Sequence, residues 1–229
     1  MITKTWVKES KFGIWFLNTA IWHDRVLSVA IKDLARLLPK PAQPCRKILD
    51  VGCGKGNSFR LLEAQFNPET ICGLEIDASL LKNAQLNAKS CHCSIELNVG
   101  NAEKMPYPDA SFDMVFCHQS FHHIMQHELA MQEFYRVLQP GGVLLFAESC
   151  KKFIHSISIR LLFRHPMDVQ KTAGEYLTLI RNTGFQVNDE SISMPYLWWS
   201  RADLGAKEWF GMKVPAVREE TLVNLVAIK

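Results

Sequence analysis

The glycine-rich segment Ile48–Leu62, ILDVGCGKGNSFRLL, constrains the fold of this 229-residue chain more than any other feature. An apolar run ends on Asp50, glycines follow at positions 52, 54 and 56, and a helical pattern begins directly afterwards. A chain that turns from a parallel strand into a helix beneath a ligand has little room for β-carbons, and the helix start presents free N–H groups to that ligand. The segment therefore predicts a strand, turn and helix that bind a nucleotide.

The spacing of the glycines distinguishes between kinds of nucleotide. Nicotinamide and flavin sites use G-x-G-x-x-G, whereas this turn reads G-x-G-x-G and has Asn57 where the last glycine would stand. Asp50, just ahead of the turn, would repel a pyrophosphate but suits a ligand that carries positive charge. The turn therefore predicts a positively charged nucleoside as the cofactor.

Further motifs follow the turn in order: Ile71–Asp77 (ICGLEID), Gly100–Pro108 (GNAEKMPYP), and Ser111–Phe116 followed by Arg136–Phe146. Together with the turn, they resemble the motifs of class I S-adenosylmethionine (SAM)-dependent methyltransferases. The resemblance is greatest to the type 11 group, which includes ubiquinone and menaquinone C-methyltransferases. It covers about residues 46–148 and implies SAM as cofactor and S-adenosylhomocysteine as product.

The resemblance implies a role for individual residues. The acid that matches Glu75 bonds both ribose hydroxyls, and Asn101 with Ala102 matches the pair that holds the adenine. The family usually has Asp where this chain has Asn101, but an amide oxygen can still accept a hydrogen bond from the adenine amino group. The complete set of predicted cofactor-binding residues is Asp50, Gly52, Cys53, Gly54, Gly56, Glu75, Ile76, Asn101, Ala102 and His118.

The segment Cys117–His123, CHQSFHH, supplies the candidates for catalysis. In the family, the chain after the fourth strand passes the methionine part of the cofactor on its way to the acceptor. Methylation of a phenol, a hydroxyl or a ring carbon requires a base, and an imidazole suits that task near neutral pH. We expect His118 to orient the cofactor and His122 to act as the base. The alternative is that His122 and His123 are structural residues at the start of a helix.

Histidine spacing raises the question of a metal site. His118 and His122 are four residues apart, as are His123 and His127, and on a helix each pair could share a face. A third ligand at fixed spacing is missing, however, and the chain has no H-E-x-x-H motif. The spacing of Cys91-His-Cys93 does not match that of a zinc loop either. The sequence therefore predicts no metal site.

The alternation of apolar runs and helical patterns predicts an α/β fold. Strands are expected at 48–52, 71–76, 95–99, 113–118 and 142–148, and a last pair at 185–193 and 221–228. Helices are expected from an N-cap at Asn18 to Leu38, ended by Pro39 and Pro41, then after Gly56, after Ala78, at 126–138 and near 167–182. With the resemblance, this order predicts a Rossmann-like, doubly wound sheet of seven strands, mostly parallel with the last strand antiparallel.

Charge divides the chain into a core and two flanks. Residues 1–45 carry 7 basic and 3 acidic side chains, 46–148 carry 8 and 12, and 149–229 carry 11 and 8, which gives +4, −4 and +3. All six tryptophans lie in the basic flanks. No linker-like stretch separates these parts, so we expect one methyltransferase domain over 1–229. Its parts are an N-terminal helical cap (1–45), a SAM-binding core (46–148) and a substrate-side half with the C-terminal strand pair (149–229).

The flanks also indicate what the protein contacts. Basic and apolar residues are interleaved at 4–17 and 151–164, which suits an anionic membrane surface, a hydrophobic substrate or ordinary packing on the sheet. A nucleic acid is not expected, because Cys117-His-Gln-Ser120 replaces the [DNS]-P-P-[FYW] motif of enzymes that methylate base amines. Seven scattered cysteines suit free thiols in a reducing compartment, and 1–20 lacks the apolar core of a signal peptide. We expect a cytoplasmic protein, either free or peripheral to a membrane.

These features predict a methyltransferase that acts on a small, lipophilic or aromatic acceptor. Two alternatives remain: a non-catalytic module that binds SAM, and a nicotinamide-dependent oxidoreductase. The intact glycine turn and Glu75 count against the first, and the missing third glycine of the dinucleotide motif counts against the second.

Overall fold

A computed structural model describes residues 6–39, 45–201, 205–213 and 219–229. Its central sheet has seven strands: β1 Lys47–Val51, β2 Thr70–Glu75, β3 Ser94–Val99, β4 Phe112–His118, β5 Leu138–Ser149, β6 Ile192–Ser193 and β7 Leu222–Ile228. Their order is β3-β2-β1-β4-β5-β7-β6. Strands β1 to β5 are parallel, and β7 is antiparallel to both β5 and β6. The predicted fold class is confirmed.

Helices flank the sheet. The first helix is α1 (Lys11–Phe16). Helix α2 consists of Ala20–Trp22, a π-helical turn at His23–Leu27, and Ser28–Leu37. The others are α3 Phe59–Phe66, α4 Ala78–Ala88, α5 His127–Val137, α6 Lys151–Ile154, α7 Ile157–Leu162, α8 Ala173–Thr183 and α9 Ala206–Trp209. A 3-10 turn, Phe121–His123, lies between β4 and α5. Among the described residues, no helix has the length and apolarity that a bilayer span requires.

Some boundaries differ from the sequence expectations. The N-cap of α2 is Thr19 and not Asn18, because the Thr19 hydroxyl accepts a hydrogen bond from the Trp22 N–H at 3.2 Å. Asn18 instead donates to the carbonyl of Ile14 in α1. Pro41, which was expected to help end this helix, lies outside the described residues.

The last part of the chain also deviates from its expected boundaries. The strand expected at 185–193 is reduced to a bridge at Gln186 and the two residues of β6, because a 3-10 turn at Asp189–Ser191 interrupts it. The helix expected from residue 167 begins at Ala173, where a capping box between Thr172 and Glu175 fixes its start.

Two apolar layers cover the faces of the sheet. Leu49 and Val51 of β1 point into the layer with α5 and α8, whereas Ile48 points into the layer with α2, α3 and α4. Since both faces of β1, β2 and β4 are buried, these strands are largely apolar runs in the sequence, whereas the edge strand β3 alternates and is partly exposed. Glu75 and Glu148 are nevertheless buried at strand ends. Because a buried carboxylate is costly unless it has partners, the contacts of these two side chains must explain their burial.

The strand order reverses between β1 and β4, which are neighbours in the sheet but not in the chain. In open α/β sheets, ligands bind beyond the carboxyl ends of the strands at this reversal. The residues that follow β1, β2 and β4 therefore form the candidate site.

Candidate functional site

A cavity of about 410 Å³ lies beyond the carboxyl ends of the strands. Its floor consists of residues from the strand ends and the turns after them: Val51, Gly52, Gly54, Leu74, Glu75, Ile76, Gly100, Asn101, Ala102, Gln119 and Ser120. A second cavity of about 140 Å³ adjoins it at Gly52 and Gly54 and is lined by Asp50, Cys53 and His118. Apart from Gly56, every residue predicted to bind the cofactor lines at least one of the two cavities.

The three glycines of the turn have positive φ angles of +71°, +55° and +75°, but their surroundings differ. A Cβ on Gly54 would meet nothing within 4 Å, so this glycine faces open space in both cavities. A Cβ on Gly52 would lie 2.5 Å from Cβ of Ser120. One on Gly56 would lie 2.4 Å from the ring of Phe59, and Gly56 lines neither cavity. Gly56 therefore serves the packing of the turn on α3.

Glu75 ties the end of β2 to the glycine turn. Its Oε2 accepts a hydrogen bond from the Gly54 N–H at 2.9 Å, and its Oε1 accepts one from the Asp77 N–H at 2.9 Å. Burial raises the pKa of this carboxyl, while these backbone N–H bonds oppose the rise. The carboxylate thus stands at a fixed position on the wall of the larger cavity.

Asn101 is held by its own loop. Its Oδ1 accepts a hydrogen bond from the Glu103 N–H at 2.9 Å, and its Nδ2 donates to Glu103 Oε2 at 3.3 Å. An amide oxygen has two lone pairs, so Oδ1 can still accept one further bond. Ile76 and Ala102 line the same part of the cavity.

Asp50 is buried and points toward the second cavity. The pKa of Asp50 is raised to about 7, mainly by burial. The nearby Glu75 carboxylate adds to this rise, and the hydrogen bond from the Ser58 hydroxyl opposes it. A cation in that cavity would favour the ionised carboxylate and lower the pKa again. Cys53 lines the same cavity, and burial raises the pKa of its thiol.

Glu148, at the end of β5, organises the turn that carries the predicted catalytic residues. Its side chain is fully buried, and its Oε1 accepts hydrogen bonds from the N–H groups of Ser120 (2.8 Å) and Phe121 (2.7 Å). Its Oε2 lies 2.6 Å from Nδ1 of His122. Sequence reasoning gave Glu148 no role, although an acid at the end of an apolar strand was a signal of one.

His118 and His122 do not share a helix face, because His118 ends β4 and His122 lies in the 3-10 turn after it. His118 stacks on Phe116 with ring centroids 6.0 Å apart and lies beside Trp22 at 5.6 Å. Burial lowers its pKa to about 4, so its imidazole is neutral at pH 7. His118 lines the smaller cavity and His122 the larger one.

His123 and His127 do not pair either. His127 stacks on Phe121 with ring centroids 4.6 Å apart and belongs to the core. His123 instead lies beside His165, a residue after α7, with ring centroids 4.9 Å apart, and His165 is 5.0 Å from His122. Nothing in the local sequence signals this contact, because His165 is remote from the other two residues along the chain.

Most of the remaining lining of the larger cavity is apolar, although Glu9, Ser149, Ser158 and the histidines at 122, 123 and 165 also contribute to it. Its walls come from α1, the start of α2, α6, α7 and the segment after β6, and the residues concerned are Phe12, Phe16, Trp22, Ile154, Ile159, Leu162, Phe163, Trp198 and Trp199. The segment before α1 also crosses it, since Lys8 pairs with Asp77 at 2.7 Å and Trp6 bridges to Ile124. The cavity therefore has a polar end at the strands and an apolar end beneath the flanks.

Comparison with known proteins places these features in a family. Residues 49–146 match the family described as a methyltransferase domain. The chain is 30% identical over 143 residues to phosphoethanolamine N-methyltransferase 3 of Arabidopsis thaliana, a match that covers 62% of this chain and 27% of that protein. It is 32% identical over 141 residues to demethylmenaquinone methyltransferase of Deinococcus radiodurans, which covers 58% of each. The chain thus spans only about a quarter to just over half of the length of these relatives.

Solved structures share the fold. One belongs to the complex between the Haloferax volcanii Trm112 methyltransferase activator and a methyltransferase, with a TM-score of 0.70, 20% identity and 95% of both chains covered. Another is a SAM-dependent methyltransferase from Mesorhizobium loti, with a TM-score of 0.65, 17% identity, and 93% of this chain and 99% of that one covered.

The geometry of the turn fits the cofactor that this family uses. Gly54 leaves open space beside it, and the fixed carboxylate of Glu75 can accept hydrogen bonds from sugar hydroxyls. The buried carboxyl of Asp50 in the adjoining cavity suits a positively charged group. Residues 49–146 therefore form a methyltransferase domain of the class I, SAM-dependent kind, whose cofactor is SAM.

Proposed function

We propose that this protein transfers the methyl group of SAM to a small, lipophilic or aromatic acceptor. The observation that carries the proposal is the cavity with two unlike ends, because a nucleoside suits the strand ends and an apolar molecule suits the aromatic walls. A module that only binds SAM would need the first end but not the second.

The cofactor contacts follow from the two cavities. In this proposal Glu75 binds the ribose hydroxyls, and Asn101 and Ala102 hold the adenine, with Ile76 beside it. The turn at Gly52, Cys53 and Gly54 contacts the methionine part, which reaches toward Asp50 and His118 in the smaller cavity. Gly56 acts indirectly, since it lets the turn pack on Phe59.

When bound, SAM supplies a methyl group on a positively charged sulfur; the sulfur–methyl bond breaks as the bond to the acceptor forms, which leaves S-adenosylhomocysteine. The positive charge on sulfur disappears in this step, so a dry enclosure that aligns the acceptor favours the transition state. The aromatic walls contributed by α1, Trp22 and Trp198 exclude water from the place where the two substrates meet.

His122 is the residue we assign to activation of the acceptor. Because the Glu148 carboxylate accepts a hydrogen bond from Nδ1, the other nitrogen, Nε2, is free to take a proton from a phenol, a hydroxyl or a ring carbon. His118 is neutral and partly buried beside Trp22, and it orients the cofactor.

The lining of the cavity favours a neutral, apolar acceptor over a phosphorylated one. None of the described residues that line the larger cavity is Lys or Arg, so a phosphate group would lack a basic partner there. The similarity to demethylmenaquinone methyltransferase supports a ring-bearing, lipophilic acceptor more than the similarity to phosphoethanolamine N-methyltransferase supports a phosphorylated amine.

Replacing His122 should lower turnover without preventing SAM binding. We expect His122→Asn, which keeps an N–H donor for Glu148, to reduce the rate by about 10²- to 10⁴-fold, because the base is lost. His122→Ala should do the same, and the exposed His155→Ala serves as a control with the rate unchanged. The measurement is transfer of labelled methyl from SAM to a panel of phenols, quinones, lipids and amines.

Two results would contradict these assignments. Undiminished turnover in both His122 variants would remove that residue from catalysis. Calorimetric titration with SAM and with NAD tests the class of enzyme itself, since micromolar binding of SAM alone is expected and a preference for NAD would favour an oxidoreductase.

The protein also exposes an apolar patch beside the cavity, formed by α1 and α7. Trp15, Ile157 and Leu161 are 60%, 79% and 79% exposed, and Phe12 of α1 packs edge-on against Phe163 after α7. Lys11 and Arg160 belong to these two helices, and Lys151 and Lys152 of α6 and Arg164 after α7 are further basic residues close to them in the chain. We propose that this α1/α7 patch binds to the surface of a membrane, in which a lipophilic acceptor would be available. The free cysteines fit a membrane surface that faces a reducing compartment.

Vesicles with anionic lipid should retain the protein at low salt. Retention should fall as salt rises, because the basic residues lose their attraction to the lipid head groups. An Ile157→Ser, Leu161→Ser double variant should sediment less than the parent protein, whereas Leu86→Ser, at an exposed apolar residue of α4, should not. Equal sedimentation of all three proteins would exclude the patch as the contact.

A further inference from the structure

We infer that His122, His123 and His165 together bind a divalent transition-metal ion at the acceptor end of the cavity. One ring nitrogen from each of these residues lies within 4.8 Å of those of the other two. All three side chains line the larger cavity, so this histidine cluster borders the space assigned to the acceptor. The inference departs from the sequence expectation, which found no third ligand because His165 lies in a different segment.

The free nitrogens of the cluster indicate a missing partner. Nδ1 of His123 and Nδ1 of His165 are both buried, and neither has a hydrogen-bond partner among the described residues. An unsatisfied buried polar group is costly, and native proteins contain few of them. A single ion would satisfy both nitrogens, and Nε2 of His122 would be the third ligand.

Carboxylates lie behind two of the three imidazoles. Oε2 of Glu148 is 2.6 Å from Nδ1 of His122, and Oε2 of Glu9 is 3.7 Å from Nε2 of His123. A hydrogen-bonded carboxylate such as Glu148 is typical of metal-binding histidines, where it fixes the ring and its tautomer, whereas Glu9 is close to His123 without a hydrogen bond. The other oxygen of Glu9 accepts a hydrogen bond at 3.0 Å from the N–H of Arg164, the residue before His165. The cluster is thus braced from two sides.

The donor set selects the class of metal. Three imidazole nitrogens suit Zn²⁺ and related first-row ions, whereas Mg²⁺ and Ca²⁺ prefer oxygen ligands. Tetrahedral ligands about 2.0–2.1 Å from Zn²⁺ lie roughly 3.3 Å apart, so any pair of these nitrogens at the 4.8 Å limit would have to turn inward when the ion binds.

A metal here would change how the acceptor is activated. Because the three histidines line the cavity, an acceptor oxygen could reach an ion held by them, and the ion would lower the pKa of that oxygen so that its proton passes to solvent more easily. His122 would then be a ligand and not the base. This consequence rests on the proposed methyl transfer, but metal binding itself does not.

Metal titration of the full chain tests the inference. We expect the chelator-treated protein to bind about one Zn²⁺ or Co²⁺ per chain, as measured by calorimetry and by the absorption spectrum of Co²⁺. His165→Ala should weaken the affinity at least about 100-fold, and His165→Asn should do the same if alanine disturbs the fold. Melting of the metal-free variants checks that they are folded.

The thiols of Cys91 and Cys93, beside His92, could also bind zinc, so they define the matched control. A Cys91→Ser, Cys93→Ser variant should keep the site, and the Co²⁺ spectrum should lack the charge-transfer band of a thiolate ligand. Affinity that survives the His165 substitutions, or that is lost in the double cysteine variant, would overturn the inference, as would an absence of binding. Glu75→Ala should bind metal but not SAM, so failure of the metal site and failure of the proposed function can be told apart.

Discussion

Replacing Glu75 with alanine should lower the affinity for SAM by a factor of about 10² to 10⁴. In our proposal the carboxylate accepts hydrogen bonds from both ribose hydroxyls, and a bond to a charged group contributes about 1.5–3 kcal/mol. The substitution also releases the Gly54 N–H, which Glu75 holds at 2.9 Å, so the turn loses its tie to β2. Calorimetric titration with SAM and with S-adenosylhomocysteine measures the loss.

The control for this prediction is Glu96→Ala. Glu96 is a carboxylate of the neighbouring strand β3 that contacts Lys47 and Cys72 and lines neither cavity. Its removal should leave SAM affinity unchanged. Glu75→Gln, which keeps one acceptor oxygen, should fall between the two alanine variants. Normal SAM affinity in a folded Glu75→Ala protein would show that the cofactor does not lie against this carboxylate.

Replacing Gly54 with alanine should mainly weaken SAM binding, whereas replacing Gly56 with alanine should mainly lower the stability of the fold. Both glycines have positive φ, so each substitution costs about 1 kcal/mol of backbone strain. At Gly54 the new methyl group points into the cavity, and SAM affinity should fall at least about tenfold with little further loss of stability. At Gly56 it meets the buried ring of Phe59, and overpacking should add about 1–3 kcal/mol to the loss.

Thermal melting and SAM titration of the two variants separate these effects. For a chain of this size, each kcal/mol lowers the melting temperature by about 2–4 °C, so Gly56→Ala should melt roughly 5–15 °C below the parent protein. The fraction of Gly56→Ala that is folded should still bind SAM within a few-fold of the parent affinity. If both variants lost binding equally while melting normally, Gly56 would contact the cofactor after all.

Most of the sheet was predictable from sequence because its central strands are buried on both faces. The apolar runs ending at Asp50 and Glu75 leave few alternatives to parallel strands, and the glycine turn fixes where the ligand binds. The edge strand β6 was less predictable. It pairs with one neighbour only, so its apolar pattern is weak and a 3-10 turn could replace most of the expected strand.

The acceptor end depends on contacts between segments that are far apart in the chain. The sequence indicated His122 by its place after β4, but nothing local brings His165 toward it or Glu9 toward His123. The same holds for Glu148, whose role comes from the register of β5 beside β4. The spacing of apolar residues along a helix or strand indicates which of its faces is buried, but it does not indicate which distant side chain lies across a cavity.

The position of β7 between β5 and β6 has a consequence for how the chain folds. On the ribosome, β5 and β6 emerge before β7, yet each of them pairs with β7 and not with the other. Until Leu222–Ile228 has been synthesised, the edge of β5 stays open and the apolar residues of that edge lack their cover. Completion of the sheet therefore waits for a pairing of high contact order, and the nascent chain is most exposed to misassociation before β7 has emerged.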